Sequence, residues 1–451
     1  MKRLILSGFL GVLACGAYLI GAAAPSPQDM RAGADKAFAS GNFKDAYISY
    51  EKLATDPNDD PGKVSHDLTQ GILALQRLGR SDEVDDFREK TIGAHGKNWR
   101  LLQTAALTFL NGETHGFIVA GKFYRGNHRG NDGKQVFTIE RDRVRALQLM
   151  EQGISAVADE PNKDERGSFY FTLADILMNA RFGGGAWQLQ YLTDISKLPD
   201  YADGYPAYMY GGNNRGAPVN PDGTPVYHKL PKGWKEAATD GERWRWCLMQ
   251  ASEMSPEYAS RATYTLAEFL RGQFDVQSMA QSGYSFGRHA GGGPESDDDT
   301  KKDETGPFAV STLTEDETIA RLASGIKRFK LPFEFNFIRQ FQTLADTGKG
   351  QYQELALNML GQIFEDRQQY DRSAEYWKKS IAQFGAGPNN YKQLRVDQIL
   401  GNWATFDALQ TQPAGKEAAA WLVFRNGKHI SYEAFEIDVP KLLTDVKAYL
   451  K

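Results

Sequence analysis

At 451 residues, with 41% hydrophobic and 24% charged side chains, the chain has the composition of a folded globular protein and room for about three domains or one extended helical array. Its formal charge of −4, more negative still without Lys2 and Arg3, supplies no long-range attraction for nucleic acid or anionic lipid. Cys15 and Cys247 are the only cysteines, so once a leader is removed one thiol remains and stability rests on packing, not on disulfides.

Residues 1–24 read as an export signal or an N-terminal anchor. Met1-Lys2-Arg3 is a short basic start, and Leu4 to Ala24 carries no charge. Gly21-Ala22-Ala23 offers the small residues that signal peptidase requires, with cleavage favoured near Ala23. The apolar run also approaches the ~20 residues that span a bilayer, so an uncleaved anchor in the inner membrane is the alternative. Val12-Leu13-Ala14-Cys15 loosely resembles a lipoprotein box, but Leu13 is atypical there and the apolar run continues past the cysteine. The expected location is periplasmic or secreted.

Residues 28–182 read as a helical-repeat region. Between Arg31 and Pro57 a hairpin is expected to turn at Gly41-Asn42, with Phe43, Ala46, Tyr50 and Leu53 on one stripe and Asp56-Pro57 as the stop. Ala46, small between large aromatics, permits the close helix approach of a tetratricopeptide unit. Gly79 and Gly112 follow further apolar stripes, so turns recur after 38 and 33 residues and bracket that unit's period of roughly 34. The second helix after Gly79 keeps only Val84 and Phe87 of its stripe, a degenerate repeat. Further helices are predicted over Arg141 to Ala156 and Phe169 to Ala180. Gly121 to Gly133, rich in glycine and polar residues, reads as a turn-rich surface loop.

Residues 183–245 form an insertion rich in Gly, Pro and Tyr, expected to pack over the helices through Trp187, Tyr191, Tyr205, Tyr208 and Tyr210. Residues 246–290 read as helical, with one helix over Pro256 to Gln273, and the acidic linker 291–307 reads as disordered. Residues 308–400 are predicted to be helical, with helices over Glu317 to Phe329 and Glu334 to Ala345 and a tetratricopeptide repeat at 345–386. That repeat carries Leu357, Leu360, Gly361 and Phe364 on one helix and Tyr370, Ser373, Trp377 and Ser380 on the next. In 415–451, Trp421 to Phe424 and His429 to Phe435 flank Asn426-Gly427, the signal of a type I′ β-hairpin. A helix capped by Asp438 and carrying Leu442, Leu443, Val446, Tyr449 and Leu450 follows, and the segment could begin a further domain. The fold class is thus mainly α: tetratricopeptide-like hairpins forming an α-solenoid, interrupted by a long irregular insertion and ending in a β-hairpin plus helix.

Little in the sequence points to catalysis. Gly283 to Gly287 spells G-x-S-x-G around Ser285, but no strand-turn-helix context surrounds it, so a serine hydrolase is a remote alternative. The seven histidines lack metal-ligand spacing, and Glu295 to Asp299 lacks the alternation and glycine of a calcium loop. No cofactor or metal is expected. Cys247, between Trp246 and Leu248, reads as a small buried hydrophobe. Candidate partner-binding residues are Arg125 and Arg129 in the aromatic and arginine segment Phe123 to Gly130, Trp187 and Tyr191 in the insertion, and Arg243 and Arg245 in Asp240 to Trp246. For both arginine segments, packing and local pairing with acidic neighbours is the favoured reading.

Gly121 to Gly130, Arg141 to Met150, Asp240 to Trp246 and Phe424 to Leu450 together resemble the N-terminal region of large bacterial alpha-2-macroglobulin-like proteins. That resemblance implies an envelope or secreted protease trap whose bait and thioester lie in much larger downstream regions. No thioester motif occurs here, so trapping itself is not implied for this chain. The expectation is an exported, non-catalytic module that binds a protein or peptide, with a free-standing periplasmic scaffold as the alternative and no nucleic acid as partner.

Overall fold

The computed structural model describes residues 25–130, 132–179, 183–204, 216–280, 309–407, 412, 415, 419–433 and 435–450. The leader, Tyr205, Tyr208, Tyr210, Ser285 and the acidic linker lie outside them. The chain is mainly helical, and it divides into an N-terminal unit, Met1–Asp159 with Asp194–Tyr205, and a C-terminal unit, Glu160–Thr193 with Pro206–Lys451. Both the expected 28–182 region and the expected 183–245 insertion are therefore split between units. No helix among the described residues is long and apolar enough to cross a membrane.

In the N-terminal unit, α1 (Pro27–Ala39) starts where Ser26 accepts the Asp29 amide and Pro27 occupies the first turn. Gly41, at φ +79°, turns the chain into α2 (Phe43–Ala54), which buries Ala46, Tyr50 and Leu53 as the stripe predicts. α3 (Val64–Arg77) lies against α2 and is tied to α1 by Arg31, which meets Asp67 at 2.6 Å and Asp59 at 2.5 Å. Gly71 of α3 leaves no room for a side chain, since a Cβ there would lie 2.5 Å from the Phe87 ring of α4 (Val84–Ala94). The degenerate repeat thus keeps its close approach through Val84 and Phe87, both buried. Asn98 caps α5 (Trp99–Leu110), which packs along α6 (Ile139–Val157).

Part of the stretch expected to be a loop, Lys122–Arg125, is a strand. β1 (His115–Val119) lies between β2 (Lys122–Arg125) and β3 (Lys134–Phe137), antiparallel to both. Ala120 and Gly121 take φ +49° and +82°, the positive pair a two-residue type I′ hairpin needs. Gly121 therefore closes a hairpin, while the described residues of 126–133 contain no strand, as expected of a turn-rich connection.

In the C-terminal unit, α7 (Lys163–Met178) is capped by Asn162 and packs on α8 (Asp240–Ser252), which starts within the expected insertion. α9 (Pro256–Phe274) matches its expected span, and the short α10 (Gln277–Ala280) follows. The helix expected over Glu317 to Phe329 is instead a hairpin of β4 (Glu317–Leu322) and β5 (Gly325–Lys330), with Leu322 opposite Gly325. Ile319, Leu322, Ile326 and Phe329 mimic helical spacing, yet Gly325 at φ +111° breaks a helix, and the β-branched residues fit a pleat. Thr318, Ile319 and Ala320 are all buried, so the strand does not show the surface alternation that would have marked it.

α11 (Phe337–Thr347), capped by Asn336, leads to the hairpin of α12 (Gln351–Asp366) and α13 (Tyr370–Phe384). Leu357, Leu360, Gly361 and Phe364 are buried on α12, and Ser373, Trp377 and Ser380 on α13, as expected. A Cβ at Gly361 would stand 2.7 Å from the Trp377 indole, while the Ser373 hydroxyl donates to the Gly361 carbonyl at 2.8 Å. α14 (Tyr391–Leu400) covers the far side of Trp377 with Val396 and Ile399.

The terminal hairpin is also corrected. β7 (Leu422–Arg425) pairs with β6 (Trp403–Phe406), not with His429 to Phe435, which contains no strand among its described residues. Asn426 does take a left-handed φ of +59°, but its side-chain amide donates to the Ile399 and Gly401 carbonyls, anchoring the chain to the end of α14. α15 (Val439–Tyr449) is capped by Asp438 as expected and has no buried residue.

Candidate functional sites

Each unit contains a cleft lined by charged side chains. In the N-terminal unit a cleft of about 360 Å³ lies beside Arg125, Arg141 and Arg145, with Asp85, Glu89 and Asp142 opposing them and Phe109, Phe123, Leu198 and Tyr201 between. Arg125 is its structural centre. Its Nε donates to both Asp85 oxygens at 3.0 Å and its two terminal nitrogens grip Asp142 at 2.8 and 2.9 Å. Thr138 adds a hydroxyl within 3.2 Å, and the Glu113 carbonyl takes a further bond. Burial opposes the Arg125 charge, but the two carboxylates more than offset it and push its pKa up. Neighbouring Arg88, buried against the Phe109 ring at 3.8 Å, is pulled down to about 10 by desolvation. At the rim, Tyr201 stacks on Phe123 at 4.5 Å and under Arg141 at 4.6 Å, and Arg145 holds Glu89 at 2.6 Å.

The larger cleft, about 620 Å³, belongs to the C-terminal unit. It gathers Arg271 and Asp275 from the end of α9, Gln277 and Ser278 from α10, Gln362, Glu365 and Asp366 from α12, Tyr370 from α13, Arg395 and Gln398 from α14 and Arg425 from β7. Arg271 sits between Asp275 at 3.2 Å and Asp366 at 3.4 Å, and Arg395 meets Glu365 at 2.6 Å. Arg425 lies over the Tyr370 ring at 4.6 Å. Burial, then the charge of Asp275, pushes the Asp366 carboxyl from its ordinary 3.8 up to about 6, against the pull of Gln362 and Arg271. Complete burial likewise raises Asp275.

This has a measurable consequence. Between about pH 4 and 6 the folded protein holds a proton on Asp366 that the unfolded chain releases, so this group's contribution to stability is full below pH 4 and is lost as pH rises through about 6. In urea titrations across that window, Asp366→Asn is expected to abolish up to about 3 kcal/mol of the decline. Parallel pH profiles for the two proteins would show that Asp366 does not titrate high.

Of the six residues singled out in the sequence, Arg125, Arg243 and Arg245 are buried and engaged within the fold. Arg243 lies over Trp234 at 4.7 Å, 3.6 Å from Asp240, and donates to the Thr193 carbonyl. Arg245 turns the other way, donating to the His228 carbonyl at 2.9 Å and to Glu334 at 2.8 Å. Their guanidiniums hold segments of their own unit together, the packing and pairing favoured for both arginine segments over direct partner contact. Trp187 is half-buried edge-on to Tyr191 at 5.9 Å, and Tyr191 and Arg129 are exposed. Cys247 is fully buried, and desolvation pushes its thiol up, away from the reactive thiolate.

None of the C-terminal cleft residues is among the six candidate partner-binding residues, and Tyr370 is read only as part of the repeat. Arg271 and Asp275, four apart on a helix, are a visible pair, but their meeting with Asp366 spans 95 residues and leaves no local pattern. No protein-family model matches the chain, and no curated protein matches its sequence.

Proposed function

We propose that the chain is an exported, non-catalytic helical-repeat protein that binds a protein or peptide partner, and that it serves as the N-terminal module of an alpha-2-macroglobulin-like envelope protein. The observation that carries the interaction reading is the α12–α13 hairpin. Gly361 against Trp377 and Ser373 on the Gly361 carbonyl give it the small-to-large interlock of a tetratricopeptide unit, and α14 extends it with a third helix. α1 to α3 repeat the arrangement around Ala46 and Tyr50. Stacked hairpins of this kind form a solenoid whose groove accepts extended or helical segments.

The module reading, over a free-standing scaffold, is favoured by the C-terminal segment. Trp421, Phe424, Leu442, Leu443, Val446 and Leu450 are all exposed, which suits a strand and helix that pack against further structure.

The test uses a photo-crosslinking amino acid in place of Ile48, Leu73 or Leu107, helical apolar residues that are 54%, 39% and 37% exposed. Irradiation of cells is expected to give a discrete protein adduct in the envelope fraction. No adduct at any of these positions, with wild-type thermal unfolding, would sink the interaction reading. Fluorophosphonate labelling that vanishes in Ser285→Ala would replace it with a hydrolase.

A further inference from the structure

We propose that the cleft of the C-terminal unit is a socket for a cationic side chain, an arginine or lysine presented by a peptide segment of the partner; this rests on the interaction reading above. The cleft, about 620 Å³, is large enough for one long side chain and its adjoining backbone.

Its lining carries both signs of charge, so the sign of the ligand follows from which groups are already satisfied. The arginines are turned onto the protein's own acceptors. Arg271 donates to Asp275 and Asp366, and Arg395 to Glu365 at 2.6 Å and to Gln398. Arg425 gives one nitrogen to the Gln398 carbonyl while its plane rests on Tyr370.

The carboxylates retain acceptor capacity. Glu365 Oε2 is buried and accepts no hydrogen bond, and Asp366 Oδ2 receives only the long 3.4 Å contact from Arg271. An unfilled buried acceptor costs free energy that a charge-assisted donor recovers. The upward displacement of Asp366, caused by burial first and by the neighbouring charge of Asp275 second, accords with that spare acceptor capacity. A guanidinium or ammonium between Glu365 and Asp366 meets both demands, with the side-chain amides of Gln277 and Gln362 beside it to hydrogen-bond the peptide backbone.

The experiment is calorimetric titration of the full chain at pH 7.5, with EDTA, using acetyl-Gly-Arg-Gly-Arg-Gly-amide. Its analogue with citrulline for arginine has the same shape without the charge. The arginine peptide is expected to bind at least tenfold tighter than the citrulline peptide. Glu365→Gln combined with Asp366→Asn is expected to remove that preference, whereas Glu257→Gln, an exposed carboxylate outside the cleft, keeps it. Gln277→Glu, which adds charge at the exposed edge of the cleft, is expected to strengthen binding and so tests the socket even if the double variant fails to fold. Equal affinity for the two peptides, tighter binding of the citrulline peptide, or an unchanged preference in the folded double variant would overturn the socket. Photo-crosslinks from Ile48, Leu73 or Leu107 read the interaction independently, so their persistence alongside such a result would show that the socket had failed and the interaction reading had not.

Discussion

Arg125→Ala is expected to destabilise the N-terminal unit by about 3–5 kcal/mol, because it leaves Asp142 ionised and buried with no cation. Arg125 is 6% and Asp142 3% exposed, so in the folded unit the carboxylate has little contact with water to offset the lost partner. Asp85, on the rim of the same cluster, loses two bonds at the same time. The measurement is urea unfolding followed by circular dichroism, with the N-terminal transition assigned through a probe near Trp99. The paired variant Arg125→Met with Asp142→Leu supplies the contrast. Removing both charges together removes the desolvation debt, and most of the lost stability is expected to return. If the double variant is no more stable than Arg125→Ala, the ion pair holds the sheet to α6 by geometry, and charge compensation is not its main effect.

Trp377→Ala is expected to cost the C-terminal unit a similar amount, about 3–5 kcal/mol, by emptying the space between Gly361, Val396 and Ile399. Gly361→Ala tests the same contact from the other side. Its new methyl would meet the indole at 2.7 Å, and overpacking of this kind costs about 1–3 kcal/mol. Because both variants act through one contact, Gly361→Ala is expected to cost far less in the Trp377→Ala background than alone. Additivity within about 0.5 kcal/mol would mean that the indole is not what limits Gly361.

The α1–α2 and α12–α13 hairpins were legible in the sequence because everything that defines them is local. A stripe at three and four spacing, a small residue at the close approach and, for α1–α2, the turn glycine Gly41 all lie within some thirty residues. The caps at Ser26, Asn98 and Asn336 act over two or three residues and are local in the same sense.

The β4–β5 hairpin was misread because Ile319, Leu322, Ile326 and Phe329 satisfy the helical template by chance. The strand is buried by contacts with the Phe274 region, where Thr318 bonds the Phe274 carbonyl across 44 residues. The pairing of β7 with β6 replaces the type I′ hairpin expected at Asn426-Gly427, where Gly427 does not take the positive φ the turn requires. Asn426 alone is left-handed, and the strand before it finds a partner upstream instead of downstream.

By itself, the sequence determined the helical class, the positions of most helices and the two interlocked hairpins, since helix formation and hairpin closure depend on neighbours along the chain. Only the tertiary structure decided what the charged residues do. Arg125, Arg243 and Arg245, candidate partner contacts for which local pairing is the favoured reading, are buried ion-pair and hydrogen-bond donors whose particular partners lie in distant segments. The residues that do face an open cleft, Glu365 and Asp366 with Arg271, come from helices far apart in sequence. Burial and pairing set whether a charge is structural or available, and both are properties of distant segments that no local spacing encodes.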